Sequence, residues 1–280
     1  MTHIITDTTS CLSEAFAIQH KIPVIPQVIN FGNESYLEGV NLDHRAFLEK
    51  LKASSELPKT AAPPVELFIK EFERLVPLGE TILCIHPSSD VSGTVRSALT
   101  AKAEFPSADI RVIDTRLIAG NLAVLVELAA IWAEQGIAAD EIEQRLQTYI
   151  PRSRIYFLVA TLEYLQRGGR IGGATALVGS LLQIKPILQF KNGAVDQFEK
   201  ARTMRQALLR IKELVTTQVD PKHDSHLSIL QGGAEQQGAE LAEDLRHSLG
   251  LETVRVFKMP PAIITHAGPG VLGLCFFAPE

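Results

Sequence analysis

Through residues 1–135, short β-rich apolar runs alternate with segments of helical length, and few architectures accept that order. Runs that are apolar on both sides, such as Thr81–Ile85 and Ile110–Asp114, must be covered on both faces, and the intervening helices supply the cover. The pattern predicts an α/β fold whose N-terminal part is a mostly parallel sheet with helices on both faces. His3–Thr6 is the first strand and ends at Asp7-Thr8-Thr9-Ser10, four small polar residues suited to a turn and helix cap. Leu12–His20 then reads as a short helix. Ile22–Phe31 is extended, because Pro23 and Pro26 forbid a helix interior and Val24, Ile25, Val28 and Ile29 prefer strand. Asp43–Ala53, Val65–Val76 and Val91–Phe105 read as helices from their three- and four-residue apolar spacing. Gly120–Gln135 is a helix apolar nearly all round that stops at Gly136.

The style changes near Pro151-Arg152-Ser153-Arg154, which places the boundary between an N-terminal domain, 1–153, and a C-terminal α+β domain, 154–280. Ile155–Ala160 reads as a strand and Thr175–Leu182 as a helix. Ile187–Phe190 and Ala194–Phe198 flank Lys191-Asn192-Gly193, and Asn-Gly between β-rich runs signals a hairpin. Helices at Thr203–Val219 and Glu235–Leu249 alternate with strands at Leu227–Leu230, Thr253–Phe257 and Val271–Phe277.

Composition narrows the function classes. The 280 residues are 46% hydrophobic and 21% charged, enough apolar matter for real cores and the opposite of a disordered chain. The net charge of −5 argues against nucleic acid as a partner. Three widely spaced cysteines (Cys11, Cys84 and Cys275) encode neither a disulfide framework nor a zinc site, so a cytoplasmic protein without a metal is expected. The most apolar stretch, Leu117–Ala133, contains Asn121 and Glu127 and is too short for a membrane span, which leaves only transient membrane contact. Charge is uneven. From Arg167 to Lys212 there are nine Lys/Arg against Asp196 and Glu199, a local +7 that leaves −12 for the rest. That stretch is either ordinary solvated surface or a docking face for an acidic partner or a phosphorylated ligand.

Four constellations could carry chemistry. Ser88-Ser89-Asp90-Val91-Ser92-Gly93-Thr94 lies between a strand and a helix, where exposed N–H groups and hydroxyls suit an anion, but it also reads as a serine-rich cap. Thr60-Ala61-Ala62-Pro63-Pro64 puts a threonine in a proline-stiffened loop. Gly168-Gly169-Arg170-Ile171-Gly172-Gly173 holds an arginine among four glycines, where its planar fork could meet a carboxylate. His266-Ala267-Gly268-Pro269-Gly270 leaves a histidine at an abrupt turn. No P-loop, GxSxG elbow, HExxH or GxGxxG motif is present, so no cofactor is expected. The donors Thr60, Ser92, Arg170 and His266 outnumber any nucleophile–base pair, which favours holding an anion over transforming one. The alternatives are a small-anion-binding regulatory protein, or a phosphotransferase-like enzyme using Ser92 or His266.

In number, order and spacing these pieces resemble the DegV family of bacterial fatty-acid-binding proteins. The likeness runs through Thr6-Asp7-Thr8, Ile22-Pro23-Val24-Ile25-Pro26, Thr60 to Pro63, Ser88 to Thr94 and Val112-Ile113-Asp114-Thr115. It continues through Thr161-Leu162-Glu163-Tyr164-Leu165 into Gly168-Gly169-Arg170-Ile171, then Ile184-Lys185-Pro186-Ile187, Lys200 with Arg202, and His266 to Gly270. The resemblance implies two domains with one long-chain fatty acid in a buried tunnel between them. It implies a carboxylate held by Thr60 and by Ser92 in the turn with Gly93 and Thr94, with Arg170 and His266 in the surrounding polar network. It implies no catalysis by this chain: a separate fatty acid kinase phosphorylates the carboxylate that the carrier presents. Lys200 and Arg202, in the basic stretch, are expected to dock that kinase. The family pattern usually carries Ser-Gln where Ala61-Ala62 stand, so a hydroxyl and an amide are missing beside Thr60, and it usually has Ser in place of Thr8.

Overall fold

A computed structural model describes residues 2–178, 184–220 and 225–279. The chain divides into two compact units, Met1–Pro151 and Arg152–Glu280, two residues before the expected boundary.

The first unit contains β1 (Thr2–Asp7), α1 (Glu14–Gln19), β2 (Val24–Ile25), β3 (Val28–Phe31), β4 (Glu34–Leu37) and α2 (His44–Ala53), followed by β5 (Lys59–Ala61) and α3 (Val65–Leu75). It continues with β6 (Thr81–His86), α4 (Thr94–Lys102), β7 (Ile110–Asp114), α5 (Ala119–Glu134) and α6 (Ala139–Tyr149). A four-stranded sheet in the order β2-β1-β6-β7 is parallel throughout. Ile5, Ile82 and Cys84 share one buried cluster with Phe68 and Phe72 of α3 and Ala98 and Ala101 of α4. Successive strand residues point to opposite faces, so Ile4, Leu83 and Ile85 face the other way, where α5 packs. Both faces are therefore covered. Burying Phe68 and Phe72 completely contributes about 1.5–3 kcal/mol each relative to exposure.

Ile22–Phe31 is extended, as expected, but is shared between two sheets. Val24–Ile25 joins the parallel sheet, and Val28–Phe31 pairs antiparallel with β4 and β5 in a separate three-stranded sheet. Gln27 stands between the two, where the sheets part. The small sheet corrects the loop reading of Thr60, which lies on β5 opposite Ile29. Helix α6, with Ile142 and Leu146 buried, is also an addition to the sequence reading.

The second unit contains β8 (Ser153–Leu158), α7 (Glu163–Arg167), β9 (Lys185–Lys191), β10 (Ala194–Ala201) and α8 (Met204–Gln218). It ends with β11 (Ser228–Gly232), α9 (Glu235–Leu249), β12 (Arg255–Lys258), α10 (Pro261–Ala267) and β13 (Val271–Phe277). Its six-stranded sheet runs β10-β9-β8-β13-β11-β12, antiparallel except for the parallel β11–β12 pair. The hairpin at Asn192-Gly193 forms as expected, both residues taking positive φ (52° and 85°) as a two-residue turn requires. Ile211 and Leu214 of α8 and Leu241 and Leu245 of α9 pack on the sheet residues Ile229, Leu274 and Phe276.

Three expectations change in this unit. The first part of Thr175–Leu182 belongs to a 3-10 helix, Gly172–Leu177, and its end lies outside the described residues. Glu163–Arg167 is an additional helix. His266 sits in the last turn of α10 rather than in the glycine–proline turn that follows it.

Candidate functional site

Parallel strands expose their carboxyl ends on one edge, and the first unit's polar residues gather at that edge. Beyond β6 the chain turns through Ser88–Gly93. Ser88 N–H donates to Leu117 O, and Val91 and Ser92 N–H both donate to Ser88 O at 3.2 and 3.1 Å. The end of β7 clamps the same turn. Ser89 donates its hydroxyl to Asp114, and Arg116 donates twice to the Asp90 carboxylate at 2.7 and 2.6 Å. The pair holds the Asp90 carboxyl below its ordinary value, chiefly through those hydrogen bonds.

Ser92 is therefore presented on a rigid turn. The serine-rich cap reading does not hold here: the residue capping α4 is Gly93, and no side chain caps the helix. The Ser92 hydroxyl instead accepts from Thr94 N at 3.3 Å and shares a hydrogen bond of 2.8 Å with the Thr94 hydroxyl. Among the described residues, the Thr94 hydroxyl and N–H, not an imidazole or a carboxylate, lie against Ser92 Oγ.

The Thr60 segment reaches the same place. A Cβ built on Gly93 would stand 3.0 Å from the Ala62 Cβ, so the turn and the end of the Thr60–Ala62 segment touch. Thr60, Ala62 and Ser92 are all half-buried. Four segments thus converge within one unit: Asp7, Gln27, Thr60–Ala62 and Ser92–Thr94.

Asp7, His86 and Gln27 are the residues sequence reasoning missed. Asp7 does cap the 3-10 turn Thr8–Ser10, but it also accepts from His86 Nδ1 at 2.8 Å and from Gln27 Nε2 at 3.1 Å. A signal existed in the sequence: Asp7 and His86 end two adjacent parallel strands, where ligands of such sheets bind.

The second unit brings Arg170 and His266 together. Arg170 Nη1 donates to Gly168 O at 2.7 Å, and a Cβ on Gly168 would lie only 2.2 Å from His266 Nδ1. The glycine lets the imidazole lie against the chain beside the guanidinium. On the other side, Gly268, at φ +82°, has the Tyr164 ring 2.7 Å from where its Cβ would be. Burial, and then the Arg170 charge, push the His266 pKa down to about 4. Burial also lowers that of Arg170, which still leaves the guanidinium charged.

The basic stretch is partly neutralised where it folds. Arg210 pairs with Glu199 and Glu213, Lys212 with Asp244 and Arg167 with Glu163. Lys200 and Arg202 are exposed and line a shallow cleft of ≈ 370 Å³ with Gln206 and Arg210. Among the described residues no group of His, Cys, Asp and Glu could hold a metal, and no helix is long and apolar enough to cross a membrane.

A doubly covered parallel sheet with a polar carboxyl edge, followed by a mixed-sheet unit in which half-buried Arg170 and His266 lie together, defines a two-domain α/β protein with two groups of polar side chains. A family model described as an uncharacterised protein of the DegV family matches residues 1–279, and the chain belongs to that family. A DegV domain-containing protein of Halalkalibacterium halodurans is 35% identical over 275 residues, covering 98% of this chain and 97% of its own length. The structure of DegV from Bacillus subtilis, described as a fatty acid binding protein, superposes with a TM-score of 0.87 at 32% identity, covering 99% of each chain. A fatty-acid-binding DegV family protein from Thermus thermophilus gives a TM-score of 0.90 at 28% identity, again over 99% of each chain.

Proposed function

We propose that this chain is a non-catalytic carrier that binds a long-chain fatty acid in the buried tunnel the resemblance implies. It presents the carboxylate to a separate fatty acid kinase. The observation that carries this reading is the convergence, on one rigid edge of the first unit, of the Ser92 hydroxyl with the Thr60–Ala62 segment. That arrangement offers a hydroxyl donor to an anion, and among the described residues Ser92 Oγ is hydrogen-bonded to Thr94 and not to a base. The fatty acids bound by full-length relatives supply the ligand class.

The physics agrees. Burying an alkyl chain gains roughly 0.8 kcal/mol per CH₂, while a buried carboxylate must be satisfied by donors or it opposes binding. Thr60 and Ser92 supply hydroxyls, and Arg170 with His266 supplies a cation and an uncharged imidazole. Gly93 and Thr94 hold the Ser92 turn. Exposed Lys200 and Arg202 form the kinase-facing surface, and the carrier works in the cytoplasm.

Native mass spectrometry of the purified chain should show a fatty-acid-sized adduct. After delipidation, calorimetry should give one-to-one binding of oleate and weaker binding of oleyl alcohol. Equal affinity for the acid and the alcohol would reject the head-group assignment, and no binding of either would reject the carrier reading.

A further inference from the structure

The Ser92 hydroxyl is the end of a chain of hydrogen bonds that starts at buried Asp7, and the donors and acceptors along it admit an arrangement in which each proton of the Thr94–Ser92 pair runs towards the open side of Ser92. We propose that Asp7, Gln27 and Thr94 are positioning residues that hold Ser92 as an obligate donor, so that the site favours an ionised carboxylate over an uncharged head group. The proposal rests on the reading of Ser92 as a carboxylate ligand and adds what sets its selectivity.

The chain begins at Asp7, which is fully buried. Its Oδ1 accepts from the Thr9 hydroxyl at 2.6 Å, Thr9 N at 3.0 Å and Gln27 Nε2 at 3.1 Å, and its Oδ2 from His86 Nδ1 at 2.8 Å. A carboxylate only accepts, so the Gln27 amide must turn its NH₂ towards Asp7. That nitrogen also lies 2.8 Å from Thr94 Oγ1. Its two hydrogens therefore go one to each neighbour.

Thr94 Oγ1 accepts from Gln27, which leaves it one lone pair and one proton; in the proposed arrangement that proton goes to Ser92 Oγ, 2.8 Å away. The Thr94 N–H points at the same oxygen from 3.3 Å. Ser92 Oγ thus receives two hydrogen bonds, which fill its two lone pairs. One O–H remains, and it can only donate. Hydrogen bonds to a charged acceptor are roughly twice as strong as neutral ones, so an obligate donor helps a carboxylate more than an alcohol.

The frame around the chain is rigid. Gln27 is tied through its backbone on both sides, its N–H donating to the Thr8 hydroxyl and its C=O accepting from Glu38 N. His86 holds the far oxygen of Asp7 and stands edge-on to the Phe68 ring, 5.3 Å between centroids. An apolar side chain at position 27 would leave Asp7 Oδ1 and Thr94 Oγ1 each short of one donor.

The test uses the full-length delipidated chain and compares calorimetric affinities for oleate and oleyl alcohol, with thermal midpoints measured alongside. Gln27→Met keeps the length of the side chain and removes both donors, and should lower the oleate-over-alcohol preference about tenfold. Thr94→Val should do the same and Thr94→Ser should restore the preference, because only the hydroxyl matters to the chain of protons. A lower thermal midpoint with an unchanged preference in Gln27→Met and Thr94→Val would overturn the proposal, leaving the network a purely structural one. Should Gln27→Met not fold, the Thr94→Val and Thr94→Ser pair carries the same comparison. Ser92→Ala separates the two levels. If it leaves the preference unchanged, the underlying ligand reading fails; if it alone removes the preference, the ligand reading stands and the positioning chain is wrong.

Discussion

Replacing Gly168 by alanine tests how the second unit builds its Arg–His pair. Gly168 has φ −76°, a conformation any residue adopts, so the backbone itself accepts the change and gains up to about 1 kcal/mol from the loss of glycine's freedom when unfolded. The new Cβ, however, would lie 2.2 Å from His266 Nδ1 and 2.9 Å from Tyr164 O, where ordinary contact begins near 3.4 Å. The imidazole must retreat by about 1.2 Å, or α7 must move. Overpacking of this size costs typically 1–3 kcal/mol. The larger clash is with a side chain, so removing that side chain should remove most of the cost. Urea unfolding of wild type, Gly168→Ala, His266→Ala and the double variant gives the coupling directly. We expect Gly168→Ala to be destabilising alone and near neutral in the His266→Ala background, a coupling of about 1–2 kcal/mol. Equal destabilisation in both backgrounds would show that the glycine serves the Tyr164 carbonyl or the turn, and that the imidazole does not need it.

The depressed pKa of His266, about 4 against 6.5, makes the folded apoprotein resist a proton that the unfolded chain accepts. Stability should therefore be full above pH 6.5 and fall by up to roughly 3 kcal/mol as the pH drops towards 4; urea midpoints across that window should slope less in His266→Gln, and parallel slopes would refute the assignment. On the proposed function, charge reversal of Lys200 and Arg202 should slow phosphorylation of bound fatty acid by a separate fatty acid kinase while leaving oleate affinity intact, with the wild-type rate falling as salt rises. Unchanged turnover in the reversed variant at low and moderate salt would make both charges ordinary surface.

Much of the fold is legible in the sequence, because its elements carry strong local signals. The spans Glu235–Leu249 and Val271–Phe277 match the sequence reading residue for residue, and Asp43 and Thr203 cap α2 and α8 at the expected starts. What the sequence hides is partnership. The prolines of 22–31 correctly indicate extended backbone, but nothing local says that Val24–Ile25 and Val28–Phe31 join different sheets. The strands β4 and β5 are four and three residues long, too short for alternation to register, and they exist only because β3 lies between them. The helix α10 is hidden for another reason: Pro261 suits a first helical turn, yet the glycines and proline after His266 dominate the local reading.

The candidate site divides along the same line. Thr60, Ser92, Arg170 and His266 stand beside glycine, proline or serine clusters, and such clusters mark turns where backbone and side chains are exposed to a ligand. Gln27 follows Pro26, but the prolines there signal only extended backbone. It lies between two short strands, and its importance comes from reaching Asp7, twenty positions away, and Thr94, sixty-seven positions away, with one amide group. Residue spacing carries no trace of such a contact, since it depends on three segments closing around a single nitrogen. A short polar motif announces the atom proposed to meet the ligand. The atoms that orient it are buried, and buried polar residues declare themselves only once the hydrogen-bond partners that satisfy them are in place.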